Sequence, residues 1–147
     1  MVHVSGSVKG KIPARFFVRA VNLSQSASLL RGQAPESVVL HVSLRQGGIK
    51  IAENLLYFGP VKSLTLPVVA PELHIKDLGG AFAIALSAPG LVKNLCLSLR
   101  TIDATFSDNY FDLLPGHPIL ITCKPARALS LKAFKAELEV MHMAQIV

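Results

Sequence analysis

Nine acidic residues are the first place to look for chemistry in this 147-residue chain: Glu36, Glu53, Glu72, Asp77, Asp103, Asp108, Asp112, Glu137 and Glu139. Paired carboxylates do general acid and base work when one is held protonated and the other ionised. Asp108 and Asp112, four apart in a run rich in turn formers and aromatics, invite that reading. Most of the others stand singly at strand faces or turns. The competing reading is structural, because short Asp side chains accept from nearby backbone N–H groups. On that reading Asp108 caps a turn and Asp112 fixes the approach to Pro115, and we expect neither to catalyse.

Other reactive groups are sparse. His3, His41, His74, His117 and His142 are dispersed, and His41 and His74 fall on the polar faces of strand-like segments, where exposure is expected. Strand alternation puts Cys96 with Asn94 and Ser98, opposite the leucines, and Cys123 with Ile119 and Ile121. The two therefore face different layers and are expected as free thiols, an inter-sheet disulfide being the alternative. Two cysteines this far apart, without supporting histidines, do not make a zinc site. No Gly-x-Ser-x-Gly elbow and no Gly-x-x-x-x-Gly-Lys loop occurs. No catalytic residue, metal or cofactor is expected in this chain.

The elements that must position Asp108 and Asp112 are read from the run itself: Phe106, Ser107, Asp108, Asn109, Tyr110, Phe111, Asp112, Leu113, Leu114, Pro115 and Gly116. Ser107, Asp108 and Asn109 suit a backbone-bonded turn, and Asp and Asn tolerate left-handed conformations. Tyr110 and Phe111 are expected to anchor in a core, the Tyr110 hydroxyl tied to backbone as in the tyrosine corner of β-sandwiches. Pro115-Gly116 fits the centre of a type II turn, since Pro presets φ and Gly accepts φ > 0. A strand follows at 119–122.

Composition supports a globular chain. Hydrophobic residues make up 51%, which argues against disorder. The 15 Lys and Arg against 9 Asp and Glu leave a net charge of +6. Lys62, Lys76, Lys93, Arg100, Lys124 and Lys135 are scattered singly, so the basic groups are expected on a solvated surface and no nucleic-acid partner is implied. No apolar run reaches a membrane-spanning length. Residues 1–13 carry no apolar signal-peptide core, and the compartment is left unassigned.

In chain order the pattern is mostly β. Residues 15–21 begin an apolar, β-branched run, and 24–28, Ser-Gln-Ser-Ala-Ser, suit either a loop or one helical turn. Residues 38–45 alternate, with Val38, Leu40, Val42 and Leu44 on one face and Val39, His41, Ser43 and Arg45 on the other. Gln46-Gly47-Gly48 predicts a hairpin returning through 49–58 into the core-rich Leu55-Leu56-Tyr57-Phe58, and Gly59-Pro60 ends the ladder. A domain boundary is expected there. Beyond it lie a short edge strand at 64–67, a strand after Pro71, a turn at 77–80, and strands at 81–87 (Phe82, Ile84 and Leu86 on one face) and 92–99. Short strands separated by Gly, Pro and Asp signals argue for an antiparallel sandwich. In the tail, Leu131, Phe134, Leu138 and Met141 have helical spacing with Ser130 as N-cap.

The run from Phe106 to Gly116 resembles the Ser-Asp-Asn-aromatic-Phe-Asp-Leu-Leu-Pro-Gly segment near the end of bacterial β-mannosidases of glycoside hydrolase family two. Residues 53–62 also resemble, more loosely, the junction between the last two sandwiches of those enzymes. The resemblance implies an all-β chain: residues 61–147 form a C-terminal immunoglobulin-like antiparallel β-sandwich, and residues 1–60 are the closing part of a preceding one. It further implies a short turn at 131–136 and a final strand at about 138–143. His117 stands where the family usually shows Glu.

The function so implied belongs to a parent enzyme that hydrolyses terminal non-reducing β-D-mannose residues with retention. Retention needs two carboxylates roughly 5–5.5 Å apart. In the family these are implied to sit on a (β/α)₈ barrel of about 250 residues, which this chain is too short to contain. The implied partners are that barrel and the neighbouring domains, with mannosides bound at the level of the parent. The incomplete N-terminal part is expected to dock on the C-terminal sandwich or to self-associate through its exposed edge. The rival is an autonomous carbohydrate-binding module, for which Asn109 and Tyr110 are the sugar-contact candidates. A protein-interaction sandwich of unrelated descent is the third reading.

Overall fold

The computed structural model describes residues 2–4, 30, 32–46 and 49–145. The expectations for residues 15–21 and 24–28, and the conformation of the Gly47-Gly48 tip, lie outside the described residues. The chain divides into two units, Met1–Thr65 and Leu66–Val147.

In the first unit, strands β1 (Val2–Val4), β2 (Val38–Gln46) and β3 (Ile49–Tyr57) form one sheet in that order. β2 and β3 pair antiparallel with Gln46 opposite Ile49, the two-residue connection expected of the hairpin. Sequence reading places no strand at 2–4, yet β1 runs parallel to β2 with Val2 opposite Val38. The expected faces of β2 hold only in part. Val38, Val39 and Leu40 are all buried, and Val42 is exposed. β3 is largely exposed, including Ile49 and Ile51, and Leu55, Tyr57 and Phe58 are half-buried.

His41 is a correction, because its side chain is only 8% exposed. The register sets Ser43 opposite Glu53 and His41 opposite Leu55, which puts Glu53 on the diagonal from His41. His41 Nε2 lies 3.1 Å from Glu53 Oε2, and Lys50 Nζ donates to Glu53 Oε1 at 2.6 Å. The Lys50 ammonium holds the Glu53 carboxyl below its ordinary value. His74, by contrast, is exposed as expected.

Pro60 leads into a 3-10 turn at Val61–Ser63, where Ser63 Oγ donates to the Pro60 carbonyl at 2.9 Å. The edge strand expected at 64–67 does not form. Within the first unit Thr65 N–H donates to the Glu36 carbonyl at 2.9 Å. Pro67 and Pro71 have no N–H to offer a ladder, so the stretch before Glu72 stays unpaired as a strand.

The second unit carries seven strands among its described residues: β4 (Glu72–Asp77), β5 (Phe82–Ser87), β6 (Val92–Leu99), β7 (Ala104–Phe106), β8 (Phe111–Leu113), β9 (Ile119–Pro125) and β10 (Leu138–Met141). One sheet has the order β4-β5-β9-β7 and the other β10-β6-β8, all pairs antiparallel. The β4–β5 turn forms because Asp77 Oδ1 accepts from Gly79 N–H at 2.8 Å while Gly79 and Gly80 take φ of 77° and 107°.

Alternation then does the packing. Phe82, Ile84 and Leu86 of β5, Ile121 and Cys123 of β9, and Leu95, Leu97 and Leu99 of β6 all turn into one core. The helix α1 (Leu131–Glu137) closes that core with Phe134, whose ring stacks on Phe82 at 3.9 Å. Ser130 caps α1, its Oγ accepting from Ala133 N–H at 3.2 Å. Seven residues are too few for a helix stable in isolation. Burial of Phe134, about 2–3 kcal/mol for a side chain of this kind, holds α1 in place. Helical spacing holds for Leu131 and Phe134 but not for Leu138 and Met141: the helix ends at Glu137, and β10 then pairs with β6, Leu138 opposite Leu99 and Met141 opposite Cys96, as the turn-then-strand reading implies. The strand stops at Met141, short of the expected 143, where His142 is buried and a 3-10 turn at Met143–Gln145 begins.

Cys96 and Cys123 are free thiols in different layers. Cys123 is 0% exposed, and burial pushes its thiol up to about 11 from 9.0. Between those two values the unfolded chain has lost a proton that the folded chain keeps, so stability falls as pH rises from about 9 to about 11. Cys123→Ala flattens that alkaline limb. Denaturant unfolding across the same pH range measures it, and equal slopes in the two proteins would contradict the assignment.

Candidate functional site

The region around Asp108 and Asp112 is built on an irregularity in β6. Val92-Lys93-Asn94-Leu95 places two polar residues where alternation allows one. Val92 pairs with Leu113 and Leu95 with Phe111, so Lys93 and Asn94 together oppose the single residue Asp112. This is a β-bulge, with Asn94 at φ 50° in the left-handed region that Asn tolerates. Asp112 staples it. Its Oδ1 accepts from Asn94 N–H at 2.8 Å, and Lys93 Nζ donates to Oδ2 at 3.1 Å and to Oδ1 at 3.3 Å. The Lys93 and Asp112 side chains are 8% and 15% exposed.

Asp112, expected to fix the approach to Pro115, holds the strand beside it through Asn94 and Lys93. Lys93 was missed. A partner 19 residues away leaves no local mark, and only the broken alternation at 92–95 points to a bulge.

Asn109 extends the same sheet. β8 is three residues long and its pairing with β6 ends at Leu95. Beyond that point the Asn109 amide takes over: Oδ1 accepts from Leu97 N–H and Nδ2 donates to the Leu97 carbonyl, both at 2.8 Å. A side chain here satisfies the donor and acceptor that a neighbouring strand would otherwise satisfy. Asp108 Oδ1 accepts from Asn109 N–H at 2.8 Å, the expected local turn bond.

Ser107 ties the start of the run to the other sheet. Its N–H donates to the Thr122 carbonyl at 2.8 Å, and its Oγ accepts from Thr122 N–H at 2.9 Å. The run thus leaves β9 of one sheet at Ser107 and reaches β6 of the other at Asn109. It ends in the expected turn, with His117 N–H donating to the Leu114 carbonyl at 3.1 Å and Gly116 at φ 74°. A Cβ at Gly116 would meet nothing within 4 Å, so the glycine serves the positive φ and not a close approach.

Tyr110 departs from its expected place in the core. It is 72% exposed and sits at φ 60°. A left-handed residue of this kind costs about 1–2 kcal/mol. With Asn109 fixed on Leu97, that conformation turns the Tyr110 side chain outward and leaves the core-facing place to Phe111, which packs against the main cluster. Hydrogen bonding with the Cys96 side chain raises the Tyr110 phenol above its ordinary value.

Asp108, Asn109 and Asp112 thus each spend oxygens on backbone N–H groups or on Lys93. Among the described residues, no three or more of His, Cys, Asp and Glu are grouped so as to hold a metal ion. No helix among them is long and apolar enough to cross a membrane.

Two antiparallel sheets sharing one core, bridged by a turn-rich run and closed by a short helix, define an immunoglobulin-like β-sandwich. A family model described as Ig-fold domain, Ig_mannosidase, matches residues 67–146. The chain belongs to this family of mannosidase Ig-fold domains. A crystal structure of β-D-mannosidase from Dictyoglomus thermophilum is similar, with a TM-score of 0.59 at 20% identity over 69% of this chain and 12% of that chain. At that identity the likeness is one of fold. No curated protein matches the sequence.

Proposed function

We propose that this chain is the non-catalytic C-terminal portion of a β-mannosidase of glycoside hydrolase family two. On this reading residues 1–60 close a preceding sandwich, and residues 61–147 form the terminal domain that braces or docks beside the catalytic barrel. The parent cleaves terminal non-reducing β-D-mannose residues with retention, using glutamates outside this chain. The observation that carries the reading is the run at 106–116: it lies within the family match, and the polar side chains of Ser107, Asp108, Asn109 and Asp112 all bond the sandwich or its local backbone. The similar mannosidase, of which this chain spans 12%, supports a longer parent.

A second reading, an autonomous carbohydrate-binding module, draws support from the exposed ring of Tyr110. Sugar sites combine an apolar wall with a few placed polar atoms. Asn109, the other sugar-contact candidate, has its amide engaged by Leu97, which favours the bracing role. The experiment is a chromogenic β-mannoside assay on this chain together with a titration by mannose and manno-oligosaccharides. The bracing reading expects neither turnover nor saturable binding. Turnover would overturn it, and saturable binding lost in Tyr110→Ala at an unchanged melting temperature would favour the module.

A further inference from the structure

We draw no further inference here: the strongest candidate, the outer face of the β10-β6-β8 sheet where exposed Tyr110 and Met141 flank Cys96, carries nothing because nothing in the structure shows what covers it.

Discussion

Phe134→Ala lowers the unfolding free energy of the second unit by about 4 kcal/mol, within the range for truncating a buried phenylalanine to alanine. The side chain is 0% exposed and stacks on Phe82, so its removal opens a cavity in the centre of the core. The surroundings can collapse only a little, because Phe82, Ile84 and Leu86 are fixed by the β5 ladders on either side. The loss has a second part. α1 is held to the core through Phe134, and β10 follows α1 without a connecting loop, so loosening the helix also loosens the strand paired to β6. For a domain of this size such a loss lowers the melting temperature by more than about 15 °C. A fall below about 5 °C would mean that the helix contributes little to the fold.

Asp112→Ala is the second large effect, about 3 kcal/mol. Removing one member of a largely buried ion pair leaves the other charge where it cannot recover its hydration, a loss that commonly reaches about 3–5 kcal/mol. The lower end applies because both side chains keep some exposure, 8% for Lys93 and 15% for Asp112. The substitution also takes the acceptor from Asn94 N–H at the bulge. The double variant Lys93→Met, Asp112→Leu removes both charges and should recover much of the loss, since apolar replacements of buried pairs are often neutral. Guanidinium unfolding of the wild type, the two single variants and the double variant measures the coupling. An unchanged midpoint in Asp112→Ala would contradict a structural role for the carboxylate.

These effects locate what the sequence does and does not display. The inward set Phe82, Ile84 and Leu86 and the Pro115-Gly116 turn were legible because each rests on a local rule, two-residue periodicity in one case and backbone dihedrals in the other. The helical spacing of the tail is misleading past Phe134, because Leu138 and Met141 belong to a strand paired with β6. Misreading begins where a distant partner decides. Lys93 looks like any isolated surface lysine until Asp112 arrives from another strand. Tyr110 was assigned to the core because it adjoins Phe111; its left-handed backbone, set by the neighbouring amide, reverses the direction of its side chain. The segment at 64–67 has apolar residues suited to a strand, yet a strand also needs a partner and backbone donors.

The same limit applies to function. Carboxylates four residues apart in an aromatic-rich turn invite an acid and base reading, whereas the structure bonds Asp108 to the Asn109 N–H and Asp112 to Asn94 and Lys93. The run is a crossover between sheets, in which one side chain continues a ladder and another staples a bulge. Its residues are distinctive for what they do to the fold, and that gives the resemblance to the mannosidase segment a physical basis.

Amide hydrogen exchange at Leu97, resolved by NMR and referenced to Ile84 in β5, tests this most directly. Leu97 N–H is bonded to the Asn109 side chain, so in the wild type it should exchange about as slowly as the core amide of Ile84. In Asn109→Ala the two should separate, Leu97 exchanging at least about tenfold faster relative to Ile84, as a local opening replaces the lost bond. A Leu97 amide already unprotected in the wild type, or one that stays locked to Ile84 in the variant, would contradict the account of residues 106–116 as a folding device.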